Sequence, residues 1–282
     1  MSDFPAKATS KPTLAVALIV KNEASNLDAC LKTVKGWVDE IVILDSGSSD
    51  ETEAIARKYT DKFFVNTAWP GFGPQRRLAQ QHIESDYVLW LDADERVTPE
   101  LKASIEQAVA SNKSSTVYQI CRLSWVFGRF IRHCGWYPDH VVRLYPTQLT
   151  QYNDAQVHEK VEVSKTMHIV TLEGDAIHYT YNDLRHYLNK SYSYALAWSK
   201  DRADRGKSCS FASIITHSVA CFIKMYIIKA GFLDGKQGLL LSLLSTHYTL
   251  TKYADLWIRT KTKSRMLAEQ QFENRLINKV EK

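Results

Sequence analysis

Cysteine is scarce in this sequence, and the five residues Cys30, Cys121, Cys134, Cys209 and Cys221 are odd in number and widely separated. None of them has the close partner of a structural zinc site, so the reading is of reduced, buried thiols. Glycine is missing after the first apolar run, where Lys21-Asn22-Glu23-Ala24-Ser25 stands. That counts against a nucleotidyltransferase, which would use a Gly-rich loop to cradle a triphosphate. No clean uncharged run of membrane-spanning length occurs. The nearest, 211–230, is interrupted by His217, Lys224 and Lys229. Residues 1–11 are polar and lack an apolar core, which predicts a chain that is not exported. Repeats and low-complexity stretches are lacking too.

What is present is an ordinary folded composition, 45% hydrophobic and 24% charged, long enough for one α/β domain with an extension or for two small domains. The net charge of +5 is unevenly spread. From Arg185 onward there are 17 Lys/Arg against 7 Asp/Glu, whereas residues 1–184 hold 19 against 24. The basic part calls for an anionic partner, either nucleic acid or a membrane surface. Its aromatic residues lie inside apolar helices rather than interleaved on a polar sheet. A nucleic-acid-binding protein is therefore the rival class, and no nucleic acid is expected.

Apolar runs at 14–20, 40–45, 62–66 and 87–92 read as buried strands. They alternate with helical patterns at 26–34, from a Ser48/Glu51 capping box to about 59, from the end of a 70–74 loop to about 83, and from the Thr98-Pro99 start to about 110. Such alternation predicts an α/β fold with a mostly parallel sheet flanked by helices. Beyond it, 116–127, 141–145, 158–163 and 169–178 read as longer or antiparallel strands. Residues 183–204, 211–230 and 237–259 read as helices. The expected organisation is a catalytic domain over 1–182, with a nucleotide half at about 12–97 and an acceptor half at about 98–182. A basic helical region over 183–282 follows.

Ligands of such sheets bind beyond the carboxyl ends of the strands, and Asp45 and Asp92 each close one. In Leu91-Asp92-Ala93-Asp94-Glu95 a strand delivers the first carboxylate to the rim and a turn aims the second into the cleft. That pattern suits a hard divalent cation holding a diphosphate. Asp-x-Asp is weak alone, and its position after the fourth strand strengthens it. Asp45-Ser46-Gly47-Ser48-Ser49-Asp50 and Lys21-Asn22-Glu23 read equally well as plain turns. Arg76 and Arg77 read as a solvated helix face ahead of a phosphate-binding pair.

In this order and spacing, the Lys-Asn-Glu, Asp-Ser-Gly-Ser-Ser-Asp and Leu-Asp-Ala-Asp-Glu elements resemble glycosyltransferase family 2 of the GT-A fold. The likeness is specific over 14–97. Gly135-Trp136-Tyr137-Pro138-Asp139, Val142-Arg143-Leu144-Tyr145, Val157-His158-Glu159-Lys160-Val161 and the 229–238 stretch resemble one branch, the β-1,4-glucosyltransferases that add glucose to a heptose of the lipopolysaccharide inner core. The resemblance implies a Rossmann-like GT-A fold with a C-terminal helical extension. It also implies inverting transfer from a UDP-sugar, with UDP-glucose foremost and Mg²⁺ or Mn²⁺ as cofactor. The acceptor would be a lipid-anchored oligosaccharide at the cytoplasmic face of the bacterial inner membrane, or another cell-surface glycan. Glu23, Asp45, Arg76, Asp92 and Ala93 would contact the nucleotide sugar. Asp94, with Asp92, would hold the metal, and Arg143 the acceptor. The base that deprotonates the acceptor hydroxyl is sought first at Glu159, beside His158, and then at Asp139, because the family's usual Glu-Asp pair is missing. His158 would otherwise complete the metal or diphosphate site, or stand as a satisfied strand histidine. Lys224 and Lys229 among Phe222, Met225, Tyr226, Ile227 and Ile228 point to an anionic membrane surface.

Overall fold

The computed structural model describes residues 11–156, 158–181 and 183–262. They divide into two compact units. The first comprises 11–123 and 138–179, and the second 124–137 and 180–262. The sequence reading draws its boundary at 182/183. The compact units draw theirs at 179/180 and assign 124–137 to the helices.

The first unit opens with strands β1 (Leu14–Val20) and β2 (Glu40–Asp45), joined by helix α1 (Leu27–Lys32). Helix α2 (Thr52–Ala56), strand β3 (Phe63–Val65), helix α3 (Phe72–Gln80) and strand β4 (Tyr87–Trp90) follow. These four strands lie parallel in the order β3-β2-β1-β4. Side chains of β1, β2 and β4 are buried on both faces, as covered parallel strands require. One face packs Val16, Leu18, Ile43 and Leu89 with Leu27 and Leu31 of α1. The other packs Ala15, Ala17, Val42 and Trp90 with Ala79 of α3.

Short β5 (Glu95–Val97) leads to helix α4 (Pro99–Ala110), whose start is capped as expected: the Thr98 hydroxyl accepts from Leu101 N. Strands β6 (Thr116–Val126), β8 (Asp139–Pro146) and β9 (His168–His178) complete the sheet, and β7 (Arg129–Phe130) pairs only with the end of β6. From β4 it continues β8-β6-β9-β5, with β8 antiparallel to β4 and β6, and β5 antiparallel to β9. Because β8 runs against β4, its first residue, Asp139, arrives at the rim where the parallel strands end.

Two expected elements differ. Ser48 and Glu51 do not form a capping box: the Ser48 hydroxyl bonds to Asp45, and Glu51 makes no side-chain cap. Nor is 158–163 a strand. His158 takes a left-handed backbone (φ 62°), and only a single bridge, Tyr152 to Val161, forms nearby. The segment's backbone bonds to 151–153 instead, Asn153 N donating to Lys160 O and Glu162 N to Gln151 O, both at 2.9 Å, while the residues just before it hold the start of α3. Phe72 N and Gly73 N donate to the carbonyls of Gln156 and Ala155. Gly73 is required there, since a β-carbon would come within 2.0 Å of Asn153 O.

The second unit contains β7 and helices α5 (Leu184–Asp204), α6 (Phe211–Phe222) and α7 (Gly235–Trp257). A π-helical turn, Ile223–Ile228, extends α6, and a 3₁₀ turn, Gly231–Asp234, precedes α7. Asp183 and Ser210 cap α5 and α6 through their side chains. The buried Asp234 accepts from His133 N (2.8 Å) and meets His133 Nδ1 (3.0 Å), which anchors the 131–134 loop. Gly231 packs against Cys134 Sγ, where a β-carbon would approach to 2.7 Å. The 229–238 stretch thus has a local structural use.

Candidate active site

The loops after β1 and β2 are stitched together by side chains bonding to backbone. Asn22, in the left-handed region that asparagine tolerates (φ 55°), accepts from Ser49 N (2.8 Å). Asn22 N in turn donates to the Ser48 hydroxyl, and Glu23 N donates to the Thr52 hydroxyl, both at 2.8 Å. Asp45, nearly fully buried, accepts from Gly47 N (2.9 Å), Ser48 N (2.8 Å) and the Ser48 hydroxyl. Both of its oxygens are thus spent shaping its own turn. Glu23 stands half-buried in the loop after β1. Burial raises its carboxyl above the ordinary value, the negative charges of Asp94 and Asp92 add to the rise, and a hydrogen bond from Asn26 opposes it.

Asp92 and Asp94 leave β4 two residues apart and meet opposite surroundings. Asp92 Oδ1 lies 2.5 Å from Arg76 Nη2, and Oδ2 lies 2.6 Å from Arg143 Nη2. Both arginines are buried. Burial pushes the Asp92 carboxyl up, but Arg143 and Arg76 together outweigh it and hold it far below the carboxylate range. Arg76 also lies over the Trp90 and Tyr152 rings, at 5.3 and 5.0 Å, and its Nε meets Glu159 Oε1 at 3.2 Å. Arg143 Nη1 donates to the Tyr152 hydroxyl (3.2 Å). Three expectations change here. Arg76 is an interior cation, not half of a solvated pair; Arg77 alone faces out and pairs with Asp154. Asp92, with a guanidinium on each oxygen, is not the metal's carboxylate. Arg143 is walled in behind Asp92, so it offers an acceptor no free guanidinium.

Glu95 closes the turn from within. Asp92 N donates to its Oε2 (2.9 Å), while Oε1 is buried with no hydrogen bond, 3.7 Å from guanidinium nitrogens of Arg122 and Arg143. Burial raises this carboxyl more than the arginines lower it. Ala93 is buried, and its carbonyl accepts from Arg96 (2.8 Å).

Among the described residues, no arginine or lysine pairs with the Asp94 carboxylate. Its Oδ2 lies 3.3 Å from His178 Nε2, and its carbonyl accepts from Tyr179 N (2.9 Å). The β5–β9 register sets Glu95 opposite His178 and so brings the histidine to the turn. Burial lowers the His178 imidazole, but Asp94 outweighs it and raises the group above its ordinary value. Among the described residues, no group of three or more His, Cys, Asp or Glu is arranged as a complete metal cage. A carboxylate and an imidazole side by side, both partly open to solvent, make a two-donor seat of the kind a diphosphate would complete.

The two base candidates both reach the rim within ion pairs. Asp139 Oδ2 is 2.6 Å from Arg122 Nη2, with the carboxylate side chain 40% exposed; Glu159, on Arg76, is 16% exposed. His158 is exposed. His178, Arg122 and Glu95 were not singled out from sequence. The available signal was a strand ending in histidine, but its pairing with a segment eighty residues earlier is not written in either stretch.

A parallel half-sheet with carboxylates on its carboxyl rim, continued by antiparallel strands and flanked by helices, is an α/β fold of the GT-A type. Residues 15–167, more than half of the chain, match the model of glycosyl transferase family 2, and the chain belongs to that family. An uncharacterized glycosyltransferase of Rickettsia prowazekii is 27% identical over 260 residues, covering 88% of this chain and 89% of that protein. The lipopolysaccharide core biosynthesis glycosyltransferase LpsC of Rhizobium meliloti is 23% identical over 265 residues, covering 90% and 96%. Among solved structures, glucosyl-3-phosphoglycerate synthase from Mycobacterium tuberculosis, in complex with Mg²⁺ and UDP, matches at 23% identity and a TM-score of 0.33, over 39% of this chain and 44% of that one.

Proposed function

We propose that this family 2 glycosyltransferase moves a hexose, glucose foremost, from a UDP-sugar to a heptose of a lipopolysaccharide or lipooligosaccharide inner core, with inversion. The observation that carries the reading is the division of labour at the rim. Asp92 is locked between two arginines, and Asp94 is left beside His178. The full-length likeness to a lipopolysaccharide core enzyme supports the acceptor class.

Asp94 and His178 fit Mg²⁺ or Mn²⁺: one hard oxygen donor and one imidazole, with further positions left for diphosphate oxygens. Such a cation, when bound, would neutralise charge growing on the departing UDP. The protein's own residues supply the rest. The stitched Asn22–Asp45–Ser48 loops present a rigid edge to the nucleoside, with Glu23 at its margin. Arg76 and Arg143 hold Asp92, and with it the turn, in one geometry. Asp139, more open than Glu159, is the preferred base, receiving the acceptor hydroxyl proton as that oxygen attacks the anomeric carbon. The membrane side of the reading is peripheral: a lipid-anchored acceptor requires an enzyme at the cytoplasmic surface of the bilayer.

A thermal-shift screen of UDP-glucose, UDP-galactose, UDP-N-acetylglucosamine and GDP-mannose, each with Mn²⁺, tests the donor. UDP-glucose should raise the melting temperature most. Stabilisation by none of the four would overturn the reading.

A further inference from the structure

Among the described residues, the second unit leaves one face of its helices apolar and exposed. Phe211, Ile215, Val219, Ile223 and Ile227 recur every fourth residue along α6 and its π-helical extension, and they are 61, 50, 52, 42 and 58% exposed. Ile214 and Ser218, on the other side of α6, are buried where it packs on α7. Phe232 and Leu243, 50% exposed each, extend the apolar surface to the 3₁₀ turn and α7. A continuous row of this kind marks a surface that something covers.

Charge selects the occupant. Residues 211–233 contain no Asp or Glu, while Lys224 and Lys229 are exposed at the far end of the row. A second copy seated on this face about a two-fold axis would bring more lysines and no carboxylate from this stretch. A surface of anionic headgroups over hydrocarbon matches both features, because lysine stems can lie along the apolar row with their ammonium groups at the phosphates. The polar groups of α6 are already satisfied within the protein. The Thr216 hydroxyl bonds back to Ala212 O (3.0 Å), and the His217 ring stacks on Tyr253 at 4.2 Å.

The 211–228 stretch is long and apolar enough to cross a membrane, with a mean hydropathy of 1.6. Its neighbours argue for a flat seat. α7, on which α6 packs, carries Lys252 among the Trp198, Tyr248 and Tyr253 rings, and Asp255 paired with Arg259. A crossing α6 would draw these charges into hydrocarbon.

We propose that the Phe211–Ile227 row of α6 docks flat on an anionic lipid bilayer, sunk to the headgroup–acyl boundary, with Lys224 and Lys229 on headgroup phosphates. This rests on the proposed function only in supplying a reason to be at a membrane. The test is flotation of the full chain with phosphatidylglycerol-containing vesicles and with neutral phosphatidylcholine vesicles, at low and high salt. Binding to the anionic vesicles is expected, with at least a tenfold drop on neutral ones. The I215Q/V219Q/I223Q variant should lose at least tenfold in vesicle partition yet keep its melting temperature and its turnover of UDP-sugar on a delipidated, water-soluble acceptor. K224Q/K229Q should lose the preference for anionic lipid while retaining weak binding. No vesicle binding by the full chain, or a concentration-dependent dimer that the triple variant dissolves, would overturn the proposal. Vesicle binding without sugar transfer would instead count against the proposed function and leave this surface standing.

Discussion

The rim of the first unit and the outer face of the second use opposite rules. At the rim, charged side chains are buried and apolar ones hidden: Arg76, Arg143 and Glu95 are almost inaccessible, and each charge is answered by a neighbour. On α6 the buried positions are few and the exposed ones are isoleucine, valine and phenylalanine. Buried charge is costly unless paired, so it persists where geometry must be held. Exposed hydrocarbon is costly unless covered, so it persists where a partner arrives. On the proposed reading, the first unit supplies chemistry and the second placement.

The comparison sharpens inside the rim, between two aspartates that the sequence presents as equals. Asp92→Ala should give the largest loss of stability, about 3–5 kcal/mol, because it strands two buried guanidiniums. Urea denaturation measures it. The acid limb adds a signature. Asp92's folded value lies below its unfolded one, so its contribution is complete above about pH 4 and fades as pH falls towards the folded value. The stability gap between wild type and Asp92→Asn should be constant from neutrality to about pH 4 and narrow below it. A gap that widened in acid would break the assignment.

Asp94→Ala should behave in the contrary way. Transfer should fall by about 100-fold or more, since even partners behind metal ligands cost about 10–100-fold. Stability should move by no more than about 0.5 kcal/mol. Initial rates alongside melting curves separate the two aspartates. Gly73→Ala tests the loop that carries Glu159. Its β-carbon would strike the Asn153 carbonyl, and the cost should be about 1–3 kcal/mol with a matching fall in activity. Thr98→Ala, which removes the α4 cap and no hydrogen bond to a rim carboxylate, should cost about 1 kcal/mol by the same denaturation and leave turnover per folded molecule unchanged.

Much of the first unit was legible because its signals are local. The apolar runs of β1, β2 and β4, the Thr98-Pro99 start and the carboxylates at strand ends all declare themselves within a few residues. The errors share one cause, which is competition from a partner distant in sequence or hidden in a turn. Ser48 looked like a helix cap until Asp45 claimed its hydroxyl. Arg76 looked like a surface residue because no pattern on α3 announces that Asp92 and Glu159 converge on it. Arg143 and Asp92 were each assigned to a ligand when they answer each other. His178 was passed over although the strand ending there was recognised, because its meaning depends on β9 pairing with β5. In the basic region the helices were foreseen, and so was part of the outward face, since Ile227, Ile228, Lys224 and Lys229 are exposed. Phe222, Met225 and Tyr226, named with them, are partly buried, while Phe211, Ile215 and Val219, which were not named, point out.

The most direct test of the central claim is calorimetric titration of UDP into wild type, Asp94→Ala and His178→Ala, each with Mn²⁺ and with chelator. The account predicts binding by wild type that weakens at least about tenfold when the cation is removed, and equally weak binding by both variants with or without it. UDP bound as tightly by the two variants as by wild type, indifferent to the cation, would contradict it.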